Sequence, residues 1–120
     1  MSMLAEPDLS LASILDRMGA EAHALSADLQ RAEAALHEVL DRLTFLPANV
    51  AADLQRLDLV RQMLDDLARL LRVCAEATPA PAALSAGILR AETRLADLAA
   101  RLAGSAPVST FPAGSDLDLF

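Results

Sequence analysis

The stretch LASILDRMGAEAHALSADLQRAEAALHEVLDRLTFL, residues 11–46, decides the fold. Its apolar positions are Leu11, Leu15, Met18, Ala22, Leu25, Leu29, Ala32, Leu36, Val39, Leu43 and Leu46, in alternating steps of four and three. That spacing keeps one face of a helix apolar over many turns, the pattern of a coiled-coil seam. Asp8 or Ser10 can cap its start and Pro47 stops it, so one helix is expected over about 9–46, roughly 50 Å long at 1.5 Å per residue. A helix of that length favours a hairpin over a globule.

Working outward, Asn49 follows Pro47 as a candidate cap for a second helix over about 50–77. Its seam is Leu57, Val60, Leu64, Leu67, Leu71 and Cys74, widened on the helical wheel by Leu59, Met63 and Leu70. So broad a stripe predicts contact with more than one neighbour. Thr78-Pro79 ends that helix, and Pro81 suits the first turn of a third over about 81–103, with Leu84, Ile88, Ala91, Leu95, Leu98 and Leu102 on one face and Gly104 beyond its end. Short connections make consecutive helices antiparallel. Residues 1–104 therefore read as one all-α domain, a long antiparallel helical hairpin plus a third helix, dimerising into a four-helix-bundle-like assembly, with almost no material for strands.

Composition agrees. The chain has 120 residues, 10 arginines without a single lysine, 17 acids, and a net charge of −7, which argues against a nucleic-acid partner. One cysteine, Cys74, leaves nothing for an intramolecular disulfide and fits a reducing cytoplasm; its seam position predicts an inert core thiol. The first fifteen residues carry Glu6 and Asp8 and lack the features of a secretory signal, and no apolar run reaches membrane-spanning length. After Gly104 the periodicity stops. Residues 105–115 are rich in Ser, Pro, Gly and Ala, as a flexible linker is, whereas Asp116, Leu117, Asp118, Leu119 and Phe120 combine acid with large apolar side chains, as a docking peptide does.

Chemistry is sought on the second helix, where Gln55, Asp58, Gln62, Asp65 and Arg69 fall roughly opposite the seam at 100° per residue. Asp58 and Gln62, one turn apart, can reach a common group docked against the helix. The stretch Leu54-Gln-Arg-Leu-Asp-Leu-Val-Arg-Gln-Met-Leu64 resembles the catalytic helix of chemotaxis phosphatases of the CheZ type, including their shorter CheT-like relatives, with Asp58 and Gln62 as the matching pair. The resemblance implies a phosphorylated CheY-like response regulator as substrate and a hairpin dimerised into a four-helix bundle. Gln62 would orient the attacking water and Asp58 would pair with the regulator's active-site lysine. The terminal segment 116–120 is similar to the acidic, apolar peptide with which such phosphatases hold the regulator; Gln55 and Arg69 would flank the docked partner. No cofactor is expected on this chain, since Mg²⁺ and the activated acyl phosphate both belong to the regulator. What remains to be supplied is positioning, for which a neutral amide suits an anionic phosphoryl group.

Other readings carry less. His23 and His37 could suggest phosphotransfer, but His37 is followed by Glu38-Val39-Leu40-Asp41, without the lysine and glycine of such domains. Glu33, His37 and Asp41 form a ladder with too few nitrogen or sulfur ligands for structural zinc, so no metal site is expected. Arg56, Arg61, Arg69 and Arg72 each have an acid within about a turn and read as a solvated ion-pair face. The competing class is a non-enzymatic helical adaptor, whose seams serve assembly and whose tail binds another partner.

Overall fold

The computed structural model describes residues 7–105. Two thirty-residue helices, α1 (Leu11–Leu40) and α2 (Ala48–Ala77), run antiparallel and pack along each other, as the seams require. Ser10 caps α1 by accepting from the Ser13 amide at 3.2 Å. The first helix stops at Leu40, short of the expected 46, and a loop carries the chain to Pro47, which itself occupies the capping position of α2 in place of Asn49.

The third helix differs from expectation. In place of one helix over 81–103 there are a strand and two short helices, α3 (Ala86–Glu92) and α4 (Ala96–Leu102), separated where Thr93 and Leu95 adopt extended backbone angles. Gly104 ends α4 as predicted: at φ +82°, it donates to the Arg101 carbonyl while the Ser105 amide reaches Ala100, a paired closure that glycine makes at low steric cost.

Strands also form, contrary to the all-helical reading of this part. β1 (Asp8–Ser10) pairs antiparallel with β2 (Ala83–Ser85), Leu9 opposite Leu84. Two further backbone bonds extend the ladder, Leu11 to the Ala82 carbonyl and Ala86 to the Pro7 carbonyl, each at 2.9 Å. Since Ser10 caps α1 and Ser85 caps α3, this ladder sets the starts of both helices side by side.

Packing is concentrated at this end, the base of the hairpin. Ile14, Ala22, Ala68, Ala86, Leu89, Ala99 and Leu102 are buried, and the buried Gly19 lets the helices approach closely: a Cβ there would lie 3.1 Å from the Ala68 carbonyl. Glu21 is buried with them, its carboxylate accepting from Arg101 Nε at 3.0 Å, while Arg17 donates to the Leu102 carbonyl at 3.1 Å. These two contacts tie α4 to the first turns of α1. No helix among the described residues is long and apolar enough to cross a membrane.

Candidate functional site

Which residues of α2 meet α1 decides where the site lies. The packed arc runs through Leu57, Arg61, Leu64, Ala68 and Leu71, so it is turned by about 50° from the expected seam, counting 100° per residue. The cause is the close approach at Gly19, which brings Ala68 and not Leu67 to the centre of the contact. The rotation corrects three expectations. Val60 and Leu67 are exposed; Cys74 is an exposed free thiol and not a core one; and Asp58 and Asp65 lie at the edge of the helix contact, not opposite it.

Asp58 and Gln62 are brought together. Gln62 Nε2 donates to Asp58 Oδ2 at 2.8 Å, and Arg61 Nη2 donates to Asp58 Oδ1 at 2.5 Å, so each carboxylate oxygen has its own donor. Gln62 is exposed and the Asp58 side chain is 46% exposed, which leaves the pair open to a docked molecule. The hydrogen bond from Arg61, and then that from Gln62, hold the Asp58 carboxyl below its ordinary value of 3.8, because both favour the ionised form. Asp58 is thus a carboxylate at neutral pH, with one N–H of the Gln62 amide committed to it. The remaining N–H and the carbonyl of Gln62 can serve a water and an anionic group together.

Arg61 is the residue that sequence reasoning placed on a solvated face. Its side chain is only 23% exposed, and besides Asp58 it faces Asp65 Oδ2 at 3.7 Å and, across the helix contact, Glu33 Oε1 at 3.9 Å. Glu33 is 12% exposed, and neither its Oε1 nor Arg61 Nε finds a hydrogen-bond partner, so charge alone joins this pair. Arg61 is itself shifted further toward the protonated form, chiefly by its bond to Asp58. The signal for this role was present in the spacing: acids three residues before and four residues after an arginine lie on its own face. The buried Ser26 completes the junction, its hydroxyl donating to the Arg61 carbonyl at 3.5 Å.

The other expected partner-binding residues are separate from this junction. Gln55 is exposed one turn before Asp58; Arg69 is exposed and paired with Asp66. His23 and His37 are both exposed on α1, and Glu33 of the expected ladder is turned to Arg61. Among the described residues there is no cluster of three or more metal-ligating side chains. Asp116, Leu117, Asp118, Leu119 and Phe120, with residues 106–115 before them, lie outside the described residues.

No curated protein and no solved structure matches the chain. The chain belongs to the family described as a domain of unknown function, DUF8776, whose model matches residues 7–120.

Proposed function

Starting from membership in a family without an assigned activity, we propose that this protein hydrolyses the aspartyl phosphate of a CheY-like response regulator. Gln62 orients the attacking water and Asp58 docks on the regulator's lysine. The observation that carries the reading is the 2.8 Å bond from Gln62 to Asp58 on an exposed helix surface. It restrains the amide of Gln62 before any partner arrives, and pre-positioning is the part of this reaction that the regulator lacks. Water attacks phosphorus, the aspartyl oxygen of the regulator leaves, and inorganic phosphate is released; the regulator's own Mg²⁺ neutralises the phosphoryl oxygens. Arg61 keeps Asp58 ionised and faces Glu33, which anchors the pair to α1. Gln55 and Arg69 flank the docked regulator, and Asp116–Phe120 captures it, a tethered contact that raises the local concentration at the helix face.

The same reading makes the protein a cytoplasmic homodimer. Leu59, Met63, Leu67 and Leu70 of α2, together with Leu25, Leu36 and Val39 of α1, are exposed apolar side chains of the hairpin, and a second hairpin would cover them in a four-helix bundle. That open face also favours the second reading, a non-enzymatic adaptor that binds another helical partner.

One experiment separates the two. Purified protein is mixed with phosphorylated CheY-like regulators and loss of the acyl phosphate is followed, with solution mass measured on the same sample. Faster decay that falls by about a hundredfold in Gln62→Ala, at unchanged helix content, supports the phosphatase. Decay identical with and without the protein refutes it and leaves the adaptor.

A further inference from the structure

At the base of the molecule a pocket of about 520 Å³ opens among β1, α3 and α4, within the size range of sites that hold small ligands or a few side chains. Its lining joins apolar Leu9, Ala86, Ala99 and Ala103 to two arginines, Arg90 and Arg94. In a chain of net charge −7 this is a local concentration of positive charge, and Arg94 is exposed and stands in no ion pair among the described residues. Ser105 lines the pocket as well, so the chain leaves the described region at the pocket itself.

The sequence beyond Ser105 is complementary to this lining. Residues 106–115 carry no charge, and then Asp116 and Asp118 alternate with Leu117, Leu119 and Phe120. A connection of ten residues spans at most about 35 Å, which keeps such a segment near its point of attachment at an effective concentration on the order of millimolar. Residues 1–6, which join the pocket at Pro7, carry one acid, Glu6.

We propose that Asp116–Phe120 docks back into this pocket of its own chain, a carboxylate on Arg94 and its leucine and phenylalanine side chains against the alanine-lined surface. The contact is a mixed one, apolar burial supplying affinity and Arg94 supplying selection for acid. A segment seated there is withheld from any other partner, so the pocket acts as a competitor for the tail. This inference rests on the pocket and its charges and stands whether or not the protein is a phosphatase.

The test uses the full chain, isotopically labelled for NMR, with Cys74→Ser and a nitroxide attached at Ser115→Cys. The expected result is loss of amide intensity confined to the elements around the pocket, residues 8–10 and 86–105, while the hairpin tip, residues 30–45, keeps its signal. Arg94→Glu should restore the intensity, and adding Asp116→Arg with Asp118→Arg should bring the loss back, which no folding defect would do. Loss spread evenly along the chain, or loss that survives Arg94→Glu, overturns the proposal. So does loss passed from a nitroxide-bearing chain to an isotopically labelled chain that carries no nitroxide, which would give the pocket to a second copy. Pocket signals that move on deletion of residues 1–6 and ignore the nitroxide would give it to the other end of the chain.

Discussion

The two ends of the hairpin are built differently from the same kind of sequence. At the base, α1 meets α2, α4 and β2, and all five of its buried residues, Ile14, Gly19, Glu21, Ala22 and Ser26, lie within its first sixteen. Beyond Ser26 no residue of the helix is buried, and Leu36 and Val39 stand open. The base therefore carries the stability, whereas the half containing Glu33, Arg61, Asp58 and Gln62 is a two-helix ribbon. On the proposed function the polar groups of this half must stay open to a partner, and the chain would meet that demand and the demand for a core at opposite ends of one pair of helices.

The sharpest way to break that comparison is paired truncation. Ile14→Ala, at a position 2% exposed, is expected to cost about 3 kcal/mol, through lost burial and the cavity left behind, whereas Leu70→Ala, at 60% exposed, should change unfolding of dilute protein by about 0.5 kcal/mol or less. Denaturant unfolding checks both, and equal costs would mean that the open face is already covered. Next comes Glu21→Ala, expected to cost about 2 kcal/mol because Arg101 is left without a partner that is buried at the α1–α4 contact. If its cost vanished in moderate salt, the pair would be behaving as a surface contact.

The smallest effect is at the site. Asp58 is held ionised by its two donors, so the folded form has the lower proton affinity; the contribution of this contact is complete above pH 3.8 and is lost as pH falls through the depressed value. The Gln62 side-chain amide resonances should therefore stay constant from pH 8 down to about 4.5 and move only below that range. Movement near neutral pH would show that another group controls the pair.

The long helices were legible because nine apolar positions in α1 keep one period, and because Pro47, Thr78-Pro79 and Gly104 punctuate the chain. The rotation of the helix contact was not, since a broad apolar stripe is satisfied by packing either flank and the choice is made by two small residues, Gly19 and Ala68, that carry no hydrophobic signal of their own. The same rotation hid the part played by Arg61, whose partner Glu33 lies on the other helix. Asp58 and Gln62 were readable as a pair because their spacing is local. The ladder between β1 and β2 was out of reach: Asp-Leu-Ser and Ala-Leu-Ser are too short for any alternation, and their pairing is fixed by where the helices deliver them.

Gly19 has one more consequence. Two helices with repeating apolar seams can in principle slide past each other by a turn and find similar contacts again, because leucine resembles leucine along the whole length. A glycine in so close a contact removes that freedom: it is a notch that takes the Ala68 carbonyl with the Leu71 and Arg72 side chains beside it, and a shift of one turn would bring the bulkier Leu64 into the place of Ala68. The alignment it locks at one end is carried rigidly along both helices to the other, where Glu33 must stand level with Arg61. A single missing side chain at the base thus keeps the distant polar pair in step.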